Sequence, residues 1–336
     1  MYRIIIDAMG GDNAPQAVIE GTLLALKEYD DISVVFTGKE EVIKGCLEGQ
    51  EYDTSRVEII DAREEIEMAE SPVAAVRTKK DSSMVVGMKM AAEGKGDVFI
   101  TAGSTGAAVA GGTFVVRRAP NVLRPALAPL LPSKDGHFLL VDCGANVDCK
   151  PEFLQQFAIM GSLYMKAVEG IESPRVGLLN NGAEEEKGNS LTKEAHQLLK
   201  ETDINFVGNA EGRDVFSGDY DVIVCDGFDG NVLMKSVEGC AQLLLGMMKD
   251  NLMGSFRTKI GALLAKPAFK ALKKTLDYTE YGGALLLGTR AGFIKAHGSS
   301  NAKAIKNTVI QARNIAKNEV ISKITAELEK LGDKEE

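Results

Sequence analysis

The sequence predicts a largely parallel α/β sheet covered by helices on both faces, on three observations. Short Val-, Ile- and Phe-rich runs alternate with longer amphipathic stretches along the whole chain. The runs are apolar throughout rather than at every second residue, as expected of strands buried on both sides. Glycine makes up 35 of 336 residues and gathers with Asp, Asn, Ser and Thr just after the apolar runs. That is where an open α/β sheet binds its ligands.

In chain order, strands are expected at 3–7, 32–37, 57–60, 98–101, 138–142, 176–179, 205–208 and 222–226. Apolar steps of three and four predict helices at 14–28, 40–48, 82–93, 105–117, 152–168, 191–201 and 232–250, and one long helix over 302–331. Strand–helix–strand repetition implies right-handed crossovers. No Pro/Ser-rich linker divides the chain, so residues 1–336 read as one α/β domain or as two lobes sharing a sheet. The segment 251–277 stands apart as a basic amphipathic hairpin that protrudes from the fold. Residues 251–276 carry Arg257, Lys259, Lys266, Lys270, Lys273 and Lys274 without an acid, and Leu263 and Leu264 lie on the apolar stripe. Pro267 interrupts the run, and a proline inside a helix forces a kink or a break.

Composition narrows the function. Lys+Arg number 39 against 48 Asp+Glu, a net charge of −9 that argues against non-specific nucleic-acid binding. At 45% hydrophobic residues the chain is richer in apolar side chains than a disordered one. No apolar run approaches the roughly 18 to 20 residues of a membrane span. The N-terminus has no signal-peptide pattern, since Asp7 follows only three consecutive apolar residues. Cys46, Cys143, Cys149, Cys225 and Cys240 are scattered without metal-ligand spacing, which reads as reduced thiols of a cytoplasmic protein.

Six strand ends are expected to converge on one rim. They are Asp7-Ala-Met-Gly-Gly-Asp12, Thr101-Ala-Gly-Ser-Thr-Gly106, Asp142-Cys-Gly-Ala-Asn146, Asn180-Asn-Gly182, Gly208-Asn-Ala-Glu-Gly212 and Asp226-Gly-Phe-Asp-Gly-Asn231. One such loop is only a turn and a helix cap; six together suggest a shared polar ligand. Glycine loops that lead into helices favour anions. The chain contains neither G-x-x-x-x-G-K-[ST] nor G-x-G-x-x-G, so the anion is expected to be small, a phosphate or a carboxylate. Candidate binding residues are Asp7, Gly10, Gly11, Asp12, Gly103, Ser104, Thr105, Gly106, Asn146, Asn180, Asn209 and His297. Candidate catalytic residues are Asp226, Asn231, Lys235 and Lys187; Lys235 lies one turn into the helix after the most constrained loop. His196 is expected on a solvated helix face, and a Ser–His–Asp arrangement has no positive support.

These strings, together with Val76-Arg-Thr-Lys-Lys-Asp-Ser-Ser-Met84, Lys150-Pro-Glu-Phe153, Tyr281-Gly-Gly-Ala284 and Ala296-His-Gly-Ser-Ser300, resemble the bacterial acyl-ACP:phosphate acyltransferase family, PlsX. The resemblance runs from the first strand to the C-terminal helix. It implies a fold of the isopropylmalate-dehydrogenase and phosphotransacetylase type, a homodimer, and no metal or nucleotide cofactor. It also implies the transfer of a fatty acyl group from acyl carrier protein (ACP) to inorganic phosphate, giving acyl phosphate for phospholipid synthesis. The chemistry suits such loops. A thiolate leaves readily, and bound phosphate is already a competent nucleophile, so positioning and a few donors suffice without a covalent intermediate. Asp7, Asp12 and Asp226 are then expected to orient amides and lysines or to accept a phosphate proton.

Two rival readings are a decarboxylating dehydrogenase of similar fold and a non-catalytic scaffold at the membrane surface. The dehydrogenase would want an arginine group for substrate carboxylates, and the sequence displays none. The scaffold would leave the six loops unexplained. The basic segment is expected to meet the acidic carrier, the inner face of the membrane, or a second subunit.

Overall fold

The computed structural model describes residues 1–276 and 281–332. The chain runs through β1 (Tyr2–Asp7), α1 (Gln16–Glu28), β2 (Ile32–Gly38), α2 (Glu40–Leu47), β3 (Val57–Asp61), α3 (Pro72–Thr78), α4 (Ser83–Ala92), β4 (Val98–Thr101) and α5 (Thr105–Gly111). It continues through β5 (Ala126–Ala128), β6 (Leu130–Ser133), β7 (Gly136–Val141), α6 (Pro151–Val168), β8 (Val176–Asn180), α7 (Ser190–Lys200), β9 (Phe206–Glu211) and β10 (Val222–Val224). It closes with α8 (Gly227–Met253), α9 (Phe256–Leu276), β11 (Ala284–Leu287), β12 (Gly292–Lys295), α10 (Ala302–Lys317) and α11 (Val320–Gly332).

Among the described residues the strands form two sheets instead of one shared sheet. The first has the order β3-β2-β1-β4-β12-β11-β5, the second β6-β7-β10-β8-β9. Both are parallel except around β11 and β6, which pair antiparallel with their neighbours. The unbroken apolar runs have the expected cause. Ile4 and Ile6 enter one core cluster and Ile5 another, all at most 1% exposed. Burying such side chains contributes roughly 1.5–3 kcal/mol each. The shared cluster joins both sheets through residues of α1, α6, α10 and α11, while α4 and α5 cover the far face of the first sheet. The sheets meet at β5, where Leu127 donates its amide to Asp142 Oδ1 (2.8 Å) and its carbonyl accepts from Cys143 N (2.8 Å).

Several boundaries differ from expectation. The predicted 302–331 helix is two helices, because Glu319 turns left-handed (φ 53°). That bend lets Val320, Ile324 and Leu328 bury to 1% exposure, which offsets a conformation costly for a side chain. The helix over 105–117 ends in a π-turn, Gly112–Val116, and Arg117 is left-handed (φ 69°).

Within the expected segment 251–277, residues 251–276 do not fold back on themselves at Pro267; they form mainly one arm of a longer helical hairpin. Its arms are α8 and α9, and the turn is Gly254-Ser255; α9 runs through Pro267. Ser255 starts α9 by accepting the Thr258 amide on its hydroxyl (3.2 Å) while its own amide donates to Thr258 Oγ1 (3.1 Å). No described helix is long and apolar enough to cross a membrane.

Candidate functional site

The strand-end loops fall into groups according to the sheet that carries them. The first group hangs on β1, β4 and β12, which are neighbours. Asp7 is buried and accepts Thr101 Oγ1 (2.7 Å) and the Met9 amide (3.2 Å). Burial pushes its pKa up, and hydrogen bonds from Ser83, Thr101 and the loop amides oppose that. Gly10 is obligatory, because a β-carbon there would lie 2.6 Å from Asp7 Oδ2 and 2.7 Å from Gly103 N. Gly11 has φ +108°, and the next residue, Asp12, donates its amide to Gly298 O (2.8 Å). His297 turns back on its own loop, with Nδ1 2.8 Å from Ser299 Oγ.

Several expected anion ligands in this group are already committed. The Gly103 amide donates to Thr101 Oγ1 (3.0 Å), and Ser104 caps α5 by accepting the Ala107 amide (3.5 Å). Gly106 lies against Pro72 of α3, where a β-carbon would come within 2.6 Å of the proline ring, so its role is close packing. Thr105, beside it, is exposed. One residue was missed. Lys295 ends β12 buried at 6% exposure, and its ammonium donates to the carbonyls of Ala102 (3.3 Å) and Ala296. Burial lowers its pKa to about 8, against the pull of Asp7 and Asp12. A lysine closing the apolar run Gly292-Phe-Ile-Lys295 was the available signal.

The second group hangs on β7 and β10. Asp142, also missed, is fully buried and accepts from the amides of Leu127 (2.8 Å), Ala145 (3.1 Å) and Asn146 (2.6 Å) and from Asn146 Nδ2 (2.9 Å). Burial raises its pKa and these four bonds oppose it. Asn146 spends its other amide proton on Pro125 O (2.8 Å), and its carbonyl receives Gly227 N (2.7 Å). Asn146 therefore braces this loop.

Asp226 caps α8 through the Asp229 amide (2.8 Å), and its half-buried carboxyl titrates above the usual range, first through burial and then through the Asp229 charge. The cap aims the first turns of α8 at Gly144. The Asn231 side chain lies over that glycine, with Cγ 3.7 Å from the position of a Gly144 β-carbon, and Lys235 carries its charge close enough to favour the Cys143 thiolate. Among the described residues, neither Asn231 nor Lys235 makes a side-chain hydrogen bond or ion pair. Cys143 and Cys149 flank this group, but burial pushes both thiols up to about 12, so neither is a thiolate at neutral pH.

The third group braces the loop after β8. Asn180 Nδ2 donates to Lys187 O (3.3 Å) and its Oδ1 accepts the Asn181 amide (2.8 Å). Asn209 donates to Glu184 O (2.8 Å) and meets His196 Nδ1 (2.9 Å). Both amides are committed, while Lys187 is exposed on the loop they hold. His196 is the reverse of its expectation, buried at 5% exposure and stacked edge-on against Phe206.

Arg257, Lys259, Lys266 and Lys270 of α9 are exposed, as are Leu263 (70%) and Leu264 (78%). The side chains of Lys273 and Lys274 lie outside the described residues. The fold also builds the arginine cluster that the sequence does not display. Arg117, Arg118, Arg124 and Arg290 line one cavity of about 1120 Å³.

The architecture defines the class. It resembles the phosphotransacetylase from Streptococcus pyogenes with a TM-score of 0.61 at 15% identity, over 94% of each chain. It resembles a branched-chain phosphotransacylase from Enterococcus faecalis with a TM-score of 0.56 at 13% identity, over 94% of this chain and 99% of that one. These likenesses define a phosphotransacetylase-like α/β fold. A profile of the family described as fatty acid synthesis protein matches residues 2–323. The phosphate acyltransferase of Clostridium botulinum is 53% identical over 321 residues, 96% of each chain. The chain belongs to the fatty acid synthesis protein family, the family its motifs resemble.

Proposed function

We propose that the protein is a phosphate acyltransferase that moves a fatty acyl group from acyl-ACP to inorganic phosphate, yielding acyl phosphate for phospholipid synthesis. One observation carries the site. Of the expected asparagines, Asn146, Asn180 and Asn209 are committed to bracing loops, whereas Asn231 presents an uncommitted amide beside the uncommitted ammonium of Lys235. An amide and a cation on a glycine floor suit a phosphate dianion. The curated relative's activity supports this reading over the dehydrogenase and the scaffold.

In this reading Asn231 and Lys235, with Lys187 from the loop of the neighbouring sheet strand, hold phosphate at the thioester carbon. Phosphate oxygen attacks, the carbonyl oxygen becomes an oxyanion, and its collapse expels the carrier thiolate. Fixing phosphate in reach supplies several kcal/mol of the barrier, and each donor that meets the oxyanion about 3 kcal/mol more. Asp142 and Asp226 position the donors, and Asp226 is the available acceptor of a phosphate proton.

The protein works in the cytoplasm as a homodimer built on the uncovered face of α8, where Leu243 and Leu244 are about 60% exposed. The turn of the hairpin, with Phe256, Leu263 and Leu264 beside Arg257 and Lys259, contacts the inner face of the membrane. The test of the reaction is thiol release from palmitoyl-ACP. Release that rises with added phosphate is expected; release indifferent to phosphate contradicts the assignment.

A further inference from the structure

We propose that the arginine-lined cavity between loop 117–125 and the start of α6 is a docking surface for an acidic protein. On the reading above, that protein is the carrier that brings the acyl group. The cavity measures about 1120 Å³ and opens beside Phe114, which is 55% exposed. Four guanidiniums line it, against the single carboxylate of Glu152.

Four arginines around one cavity stand out in a chain of net charge −9. Arg3, Arg56, Arg63, Arg175, Arg213 and Arg313 each pair with a carboxylate. Among the described residues none of the four cavity arginines does. Three of them are held by other means, which leaves their charge for a partner. Arg118 Nη1 donates to Leu123 O (2.8 Å), Arg290 Nε to Arg118 O (3.2 Å), and Arg124 lies 5.7 Å over the Phe153 ring. Guanidiniums fixed through the backbone and aromatic faces lose little side-chain entropy when a carboxylate arrives.

The surface is continuous with the site. Pro125 lines the cavity, and its carbonyl accepts Asn146 Nδ2 (2.8 Å); two residues on, Leu127 donates to Asp142. A protein seated on the arginines would deliver its acyl-bearing arm beside the Asp142–Asn231 group. A second copy of this chain is a poorer occupant, because a two-fold interface would set the cationic face against itself.

The test measures binding of the acidic carrier directly, by calorimetry at low salt, for wild type and for Arg117→Glu/Arg124→Glu. Neither residue belongs to the proposed site. The variant is expected to bind carrier about tenfold more weakly. It should lose the salt dependence of binding and keep wild-type kcat/KM with an acyl thioester of free pantetheine. Should the double reversal fold poorly, Arg117→Gln/Arg124→Gln gives a smaller loss in the same direction. Carrier affinity unchanged in either folded variant overturns the proposal. So does an equal loss with carrier and pantetheine donors, or dissociation of the dimer, which would assign the face to a second copy. A wild type that binds carrier yet releases no thiol with phosphate contradicts the proposed reaction and leaves the docking surface supported.

Discussion

Asn231 stands over Gly144, its Cγ 3.7 Å from the place a β-carbon on that glycine would occupy. The arrangement depends on Asp226, whose cap fixes the register of α8, and on Gly230. A side chain at Gly230 would run into the Asp142 carbonyl. Asn231→Ala and Lys235→Ala are each expected to lower turnover by about 10²-fold, the usual loss for a transition-state donor. Melting temperatures should stay within a degree or two of wild type, since neither side chain braces the fold. A mutant that melts early yet turns over normally would make Asn231 a structural residue.

Asp142 and Asn146 should respond in the opposite way. Asp142→Asn places an amide against donors that now meet a carboxylate oxygen, at a cost of about 2–4 kcal/mol. Asn146→Ala releases the loop from the Pro125 carbonyl and removes one of the four hydrogen bonds to Asp142. Urea denaturation should show the midpoint falling in both, and a midpoint at the wild-type value would remove the bracing role.

Much of this was legible in the residues, and what was not has physical reasons. Strands covered on both faces advertise themselves as unbroken apolar runs, so β1, β4 and β10 needed no partner to be found. β5, β6 and β11 are three or four residues long and pair antiparallel, too short to show a period, and Pro132 sits within β6. The hairpin turn was misplaced because Pro267 is the stronger breaker in isolation, while Ser255 and Thr258 cap α9 only through each other. Composition marked out the asparagines but could not say which amides are spent. His196 and Asn209 are 13 residues apart and meet only in the fold.

Lys295 gives a pH signature of stability. Its folded pKa of about 8 lies below the ordinary lysine value of 10.5, so between these the unfolded chain binds more protons. Stability should therefore rise with pH across that window and flatten below about 8, where the lysine is charged in both states. The difference between wild type and Lys295→Met isolates this slope. A difference that does not vary from pH 8 to 10.5 would show that the ammonium is not buried as described.

Leu263→Glu/Leu264→Glu addresses the hairpin. Liposome flotation should be lost while the dimer and the turnover of soluble acyl-ACP persist. Dissociation instead would make α9 part of the subunit interface, and unchanged flotation would reject the membrane contact.

Under the proposed function, phosphate attacks the thioester directly, with no acyl-enzyme between. Burial pushes both flanking thiols up to about 12, so neither Cys143 nor Cys149 is a thiolate nucleophile at neutral pH. Enzyme at micromolar concentration is mixed with excess palmitoyl-ACP in phosphate-free buffer, and thiol is followed from the first milliseconds. No release is expected until phosphate is added, followed by steady formation of acyl phosphate. A burst of thiol equal to the enzyme concentration before phosphate arrives would contradict direct attack.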